Sequence, residues 1–131
     1  MSENKQNTNA FLIHLSSFGD YLFPLGSIIL PLILWEVKKK DSEFLDATGK
    51  EVINFNLSYL TYTIVLVITM IMVGVIFMFG HVNPLNIFFI VSAVVLVGII
   101  SIIKFILIII GVVKANQGEL YHYPLTIKFL K

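Results

Sequence analysis

The sequence predicts an all-α protein, a polytopic bundle of helices that crosses a lipid bilayer several times. Of its 131 residues, 57% are hydrophobic and only 13% are charged, a composition outside the range of small water-soluble domains. No charged residue falls between positions 57 and 79, and Lys104 is the only one between positions 85 and 113. Each run exceeds the roughly 30 Å thickness of a hydrocarbon core at about 1.5 Å per residue. We therefore expect a single membrane domain over residues 1–131.

Two long transmembrane helices are predicted at residues 52–79 and 85–114. The segment between them, residues 80–84, contains a glycine, an asparagine and a proline, which are typical of a tight turn. The two helices should therefore form an antiparallel hairpin.

A third apolar region, residues 11–35, follows a polar tail at residues 1–10 and is interrupted by glycines and prolines. Pro24 lacks a backbone donor and disfavours helical geometry at Phe23, so a helix should break there. Two arrangements remain open. The region forms one kinked span, which makes three spans in all, or it folds back as a hairpin of short helices, which makes four helices.

The lysines are concentrated on one side of this topology. Residues 36–51, predicted as a charged loop, contain four lysines, the tail at residues 115–131 contains two more, and the turn contains none. Lysine and arginine are enriched in cytoplasmic loops of membrane proteins. The charged loop and the C-terminus should therefore be cytoplasmic, in a protein of the plasma membrane.

Composition also argues against several functions. All nine basic residues are lysines, so no arginine surface is available for phosphates and nucleic acid is not expected as a partner. The absence of cysteine excludes disulfides and thiolate catalysis. His14 lies near Ser16 and Ser17 without a nucleophile motif, and His81 and His122 lack the spacing of metal ligands. We expect no enzymatic activity, no cofactor and no metal.

Four polar side chains fall within or beside the apolar regions: Asp20, Asn54, Asn56 and Lys104. An uncompensated charge in the middle of a span costs at least about 2.5 kcal/mol. The favoured interpretation of Lys104 is that its amine reaches the cytoplasmic headgroups. The alternative is an ion pair with Asp20 that lines a polar path. Asn54 and Asn56 should bond to backbone groups left free by the prolines of the first region or to another helix, with a ligand site as the alternative.

The end of the second long helix is predicted from residue types. An asparagine or glycine just after the helix favours a left-handed turn, and Lys114 suits the negative end of the helix dipole. Beyond it, Leu125, Ile127 and Phe129 alternate with other residues, so an extended tail should bury one face on the bundle or on the membrane surface. Docking of this tail to a partner is the alternative.

Residues in three separated segments carry a family resemblance. These residues are His14, Pro24, Gly26, Pro31, Trp35, Gly49, Asn54, Phe55, Ala115, Asn116, Gly118, Glu119, Tyr123 and Pro124. The pattern resembles a bacterial family of small multispan membrane proteins of unknown function, which is distantly similar to the Tic-twenty-like subunit of the chloroplast inner-envelope import translocon. The chain departs from it at Ala47-Thr48, where members often carry Glu-His. The resemblance implies a helical bundle with a cytoplasmic C-terminus and implies no reaction.

These observations favour a non-enzymatic membrane component, an accessory, scaffold or translocation-type part of a larger complex. Its expected partners are the lipid bilayer and other membrane proteins or a second copy of the chain. A small channel or transporter with a polar intramembrane path is one alternative. Protection against membrane-active peptides or envelope stress is another.

Overall fold

The computed structural model describes residues 2–79 and 84–131, and within them all regular secondary structure is helical, with no strand. The helices are α1 (Glu3–Leu15), α2 (Gly26–Lys38), α3 (Glu43–Met78) and α4 (Pro84–Asn116), with a short 3₁₀ helix at Ser16–Tyr21 between the first two. The prediction of an all-α bundle is confirmed. Of the described helices, α3 and α4 are long and apolar enough to cross a membrane.

Helices α3 and α4 form the predicted pair. Near the end where the chain turns from one to the other, the rings of Phe77 and Phe89 lie 6.2 Å apart. We call this the turn end of the pair, and we call the opposite end, with Glu43 and Asn116, the base. Most of the predicted turn lies outside the described residues. Pro84 opens α4, a position where its missing N–H costs nothing.

The N-terminal region adopts the folded arrangement of the two that the sequence left open. Helix α1 rises from the base, because the Asn7 side chain lies 3.5 Å from the carbonyl oxygen of Asn116. Helix α2 returns to the base, where the indole of Trp35 donates to Asp46 near the start of α3 at 2.9 Å. Both ends of this N-terminal hairpin, which we define as residues 3–38, therefore lie beside the base.

The two arms of the N-terminal hairpin meet at a pair of glycines. A Cβ atom on Gly19 would collide with the backbone of Gly26, and one on Gly26 would collide with the backbone of Gly19. Pro24 lies in the turn between them, and Leu25 adopts a left-handed φ of 64° just before α2 begins. The break predicted at Pro24 is therefore a reversal of the chain rather than a kink in one span.

Two segments predicted without helix are largely helical. In the polar tail at residues 1–10, α1 begins at Glu3. In the charged loop at residues 36–51, α2 continues to Lys38 and α3 begins at Glu43. The hydroxyl of Ser42 accepts a hydrogen bond from an amide of the first turn of α3 at 3.2 Å, so this serine is the N-cap. Hydropathy alone did not detect these helix ends, because polar residues occur in helices as well as in loops.

The packed core lies in the base half of the molecule. Its buried members come from α1, α3, α4 and the C-terminal tail: Ala10, Ile13, Leu45, Val52, Phe55, Tyr59, Ile108, Val112, Ala115 and Tyr123. The turn half differs, because no residue is buried between positions 61 and 77 of α3 or between positions 87 and 104 of α4. An apolar surface of this extent marks a membrane or protein contact.

The glycine contact makes a prediction about stability. Gly19→Ala and Gly26→Ala should each lower the free energy of unfolding by roughly 1–3 kcal/mol or more, since the added methyl meets rigid backbone. Thermal unfolding in detergent measures the change. Gly74→Ala and Gly98→Ala are matched controls, because a Cβ at either site meets nothing within 4 Å, and the gain in helix propensity should leave them as stable or more so. Equal effects at all four sites would contradict the close contact between Gly19 and Gly26.

Candidate functional site

The C-terminal tail, residues 117–131, packs along α3 through a row of polar side chains. Asn54 makes three bonds to it: its Oδ1 accepts from the amides of Phe129 and Leu130 at 3.0 and 2.7 Å, and its Nδ2 donates to the carbonyl of Leu130 at 2.9 Å. These bonds satisfy backbone groups of an extended segment. The partner of Asn54 is therefore the tail, and neither the proline-containing first region nor another helix, the two partners expected from sequence.

Two further side chains continue this row at intervals of four residues. Ser58 Oγ accepts from the amide of Ile127 at 2.8 Å, and the Tyr62 hydroxyl donates to the carbonyl of Leu125 at 2.7 Å. Residues spaced by four share one face of a helix, so Asn54, Ser58 and Tyr62 form one stripe, which we call the polar ladder. Sequence reasoning missed Ser58 and Tyr62, although their spacing from Asn54 was visible.

Tyr123 anchors the tail in the core. Its ring stacks on Phe55 with centroids 3.9 Å apart and an interplanar angle of 16°. Its hydroxyl lies 2.7 Å from Nδ1 of His14 in a buried hydrogen bond. A Cβ atom on Gly111 would collide with that hydroxyl. The motif residues His14, Phe55 and Tyr123, far apart in sequence, are therefore one cluster, which we call the anchor cluster.

Burial controls protonation in the anchor cluster. It lowers the pKa of His14 from 6.5 to about 4, and it raises the pKa of the Tyr123 hydroxyl. At neutral pH the imidazole is therefore uncharged and the phenol keeps its proton. No catalytic triad forms here: Ser16 donates to the carbonyl of Ile13 at 2.6 Å, and Ser17 accepts from another helix.

Other motif residues build the base. The Trp35 ring lies against Gly49, where a Cβ would collide with it, and the Lys39 amine lies 4.6 Å from the ring centroid. Pro31 and Ala115 are buried within α2 and α4.

The end of α4 follows the predicted pattern. Gly118 takes a left-handed φ of 77°, and its amide donates to the carbonyl of Ala115 at 3.0 Å. Lys114 pairs with Glu119 at 2.6 Å. Pro124 is exposed where the tail bends back toward the base.

The ion pair with Asp20 that was the alternative for Lys104 is present. Lys104 Nζ lies 3.1 Å from Asp20 Oδ2 and 3.5 Å from Ser27 Oγ. The other Asp20 oxygen accepts from the amide of Ser27 at 3.0 Å. The favoured interpretation, in which the amine reaches the headgroups alone, is wrong. Folding back of the N-terminal hairpin places a carboxylate beside Lys104, which hydropathy could not foresee.

Three of the four predicted polar residues line one cavity of about 270 Å³ between the tip of the N-terminal hairpin and the α3–α4 pair. They are Asp20, Asn56 and Lys104, whereas Asn54 faces the tail. Asn56 is buried, and its Nδ2 donates to Ser17 Oγ at 2.8 Å and to the carbonyl of Val52 at 2.9 Å. We call this the polar cavity.

The histidines are separate from one another. His14 lies in the anchor cluster, His122 pairs with Glu51 at 2.9 Å, and His81 lies outside the described residues. Across residues 2–79 and 84–131, no group of three or more histidine, cysteine, aspartate or glutamate side chains is placed to hold a metal ion.

Fold and contacts together define a helical membrane protein in which a folded N-terminal hairpin and an extended tail pack around one end of a long apolar helix pair. A family model described as the magnetosome magnetite crystal formation protein family, MamF/MmsF, matches residues 5–130. The chain belongs to this family. No match was found among curated proteins or among solved structures.

This match corrects the family resemblance drawn from sequence. The Tic-twenty-like assignment is wrong, because the model that covers nearly the whole chain belongs to the magnetosome family. The residues used for the resemblance lie inside the matched range.

The bonds of the polar ladder should hold the tail against α3. With a cysteine at half-buried Thr126 as reporter, Asn54→Ala and Ser58→Ala should each speed maleimide labelling about fivefold or more, since backbone groups lose partners. Thr61→Ala is the matched control, because Thr61 bonds only to the carbonyl of Leu57 in its own helix. The chain has no native cysteine, so labelling reports this site alone. Equal rates in all variants would show that the ladder does not hold the tail.

His14 predicts a pH dependence of stability. Its folded pKa of about 4 is below 6.5, so between these values the unfolded chain binds more protons. The free energy of unfolding should therefore fall as the pH drops from 6.5 toward 4, by up to about 1.4 kcal/mol per pH unit. Melting temperatures in detergent across this range measure it. His14→Gln should flatten the slope, while His122→Gln, at an exposed ring, should keep it; identical slopes for wild type and His14→Gln would exclude His14 as the source.

Proposed function

We propose that this protein is a non-enzymatic component of a membrane assembly, in which the turn half of the α3–α4 pair contacts neighbouring membrane proteins. The observation that supports this proposal is that the polar side chains of the apolar regions bond to other parts of the same chain. Asn54 bonds to the tail, Asn56 to Ser17, and Asp20 to Lys104. Each of these bonds joins two parts of the same chain, which is the role of structural hydrogen bonds between membrane helices.

The turn half supplies the surface for such contacts. Large apolar side chains are exposed along both helices there, among them Ile68 and Met72 on α3 and Val95 and Ile99 on α4. In contrast, the base is already occupied by the N-terminal hairpin and the tail. A packed base and an uncovered helix pair suit a protein that is anchored in a membrane and contacts other membrane helices through its turn half.

Lysine positions support a cytoplasmic base. Lys38, Lys39, Lys40, Lys50 and Lys114 all lie at or near that end, and lysine enrichment marks the cytoplasmic side. On this proposal both termini are cytoplasmic, because the N-terminal hairpin returns to the side where it began.

The family description sets the cellular context of the proposal. A family named for magnetite crystal formation in magnetosomes favours the magnetosome membrane over the plasma membrane expected from sequence. In that setting an accessory or scaffold component would act on the membrane compartment or on its resident proteins. Fractionation of magnetosomes from cell membranes, followed by detection of the chain, separates the two locations.

Site-specific photocrosslinking tests the proposed contact surface. A photoreactive phenylalanine at Ile68 or Val95 should give discrete protein adducts in native membranes. The matched control is Ile109, an exposed apolar residue of the same helix pair in the base half, which should give lipid adducts. Lipid adducts alone at all three positions would contradict a protein partner at the turn half.

The polar cavity favours one second candidate, a small transporter or channel. Asp20, Asn56 and Lys104 line it, as a polar path requires. Toward the base, however, the anchor cluster and buried Ile108 close the interior. If reconstituted wild-type vesicles carry an ion or solute flux that Lys104→Met abolishes, transport replaces the scaffold proposal. Protection against membrane-active peptides stays a prediction from sequence.

A further inference from the structure

We propose that this protein senses membrane curvature, because it is wider in the leaflet that contains the base than in the leaflet that contains the turn end. It should therefore accumulate where the base leaflet is convex. The partner in this activity is the lipid bilayer itself, independent of the protein contacts proposed above. The difference in width follows from where the N-terminal hairpin begins, reverses and ends along the α3–α4 pair.

The helix pair is as long as a whole bilayer is thick. Lys114 lies 29 residues after Leu85, which corresponds to about 44 Å along the axis of α4. A bilayer with its headgroups is about 40–45 Å thick. When Lys114 lies among the headgroups on the side of the base, the turn end therefore lies among the headgroups of the opposite leaflet.

The N-terminal hairpin, whose two ends lie beside the base, reaches only part of this distance. Its tip lies at the level of Lys104, which pairs with Asp20, and the neighbouring rings of Phe18 and Phe105 have centroids 5.3 Å apart. Lys104 is ten residues before Lys114, about 15 Å along α4. One leaflet with its headgroups is roughly 22 Å thick. The hairpin is therefore confined to the base leaflet.

The outer surface of the hairpin suits acyl chains rather than water. Leu12 and Leu15 of α1 and Ile33 and Val37 of α2 are large apolar side chains that the rest of the protein leaves exposed. Apolar surface of this kind is stable against lipid or protein. The hairpin thus displaces lipid from the base leaflet and leaves the opposite leaflet unchanged.

The two leaflets consequently contain different amounts of protein. Helices α1 to α4 and the tail share the base half, whereas no residue of the turn half is buried between positions 61 and 77 or between positions 87 and 104. A helix about 10 Å wide occupies roughly 80 Å² of the membrane plane, so two additional helices widen the base half by roughly 160 Å². Convex bending spreads the base leaflet and supplies this area, so curvature of that sign lowers the free energy of the inserted protein.

Sorting between a giant vesicle and a membrane tube pulled outward from it tests the proposal. The chain has no native cysteine, so Ser2→Cys at the base or Phe79→Cys at the turn end, both exposed positions, takes an impermeant fluorescent maleimide at one site. Applied from outside, the dye marks only molecules whose labelled end faces outward. The two variants therefore report the two orientations of the same protein separately.

The two orientations should sort in opposite directions. Relative to a lipid dye, molecules labelled at Ser2→Cys should be enriched about twofold or more in the tube, whose outer leaflet is convex, and molecules labelled at Phe79→Cys should be depleted. Equal partition of both populations would overturn the proposal. Enrichment of both would also overturn it, since a preference shared by both orientations does not depend on which leaflet contains the base.

Bulky substitutions locate the cause in the width of each leaflet. The double variant Gly74→Trp with Gly98→Trp widens the turn half, because a Cβ at either site meets nothing within 4 Å, and it should reduce the enrichment of molecules labelled at Ser2→Cys. The matched control is Ile106→Trp with Ile109→Trp, at exposed positions of α4 in the base half, which should keep or increase it. An enrichment that responds equally to both double variants, or to neither, would overturn the assignment to leaflet width.

Discussion

The structure depends on one constraint, that backbone N–H and C=O groups in an apolar environment need partners from the protein itself. Helices α3 and α4 satisfy it internally. The tail is extended and has no strand partner within the described residues, so it relies on side chains of α3. Asn54, Ser58 and Tyr62 supply these bonds from one helix face. Stacking of Tyr123 on Phe55 then determines where the tail lies along the helix pair.

The same constraint explains the N-terminal hairpin. A chain reversal inside an apolar bundle exposes backbone, and close packing limits that exposure. Gly19 and Gly26 allow the two arms to touch, and the 3₁₀ helix keeps the intervening amides bonded. At this tip the chain presents Asp20 to Lys104, so each charge has a counterion. The charged pair is thus a consequence of the reversal, because a charge without a partner in apolar surroundings would be costly at either position.

Sequence reasoning pointed to the helix pair, to a break at Pro24 and to four polar residues, but it missed Ser58 and Tyr62. It could not choose between a kink and a reversal, because the choice depends on whether Gly19 meets Gly26. It assigned Lys104 to the headgroups, since a lysine stem can reach them from many depths. It grouped His14, Phe55 and Tyr123 only as motif residues, because contact between positions 109 residues apart is a tertiary property. Its assignment to a Tic-twenty-like group was wrong, since the chain matches the magnetosome family over residues 5–130.

By itself, the sequence determined that this is a helical membrane protein with two helices long enough to span a bilayer, since hydropathy and length are additive along the chain. Its family followed from a match over nearly its full length. Only the tertiary structure decided that the N-terminal region folds back, that the tail returns along α3, and that Asp20, Asn56 and Lys104 share a cavity. These features depend on directional hydrogen bonds and close packing between distant segments, which composition and periodicity do not encode.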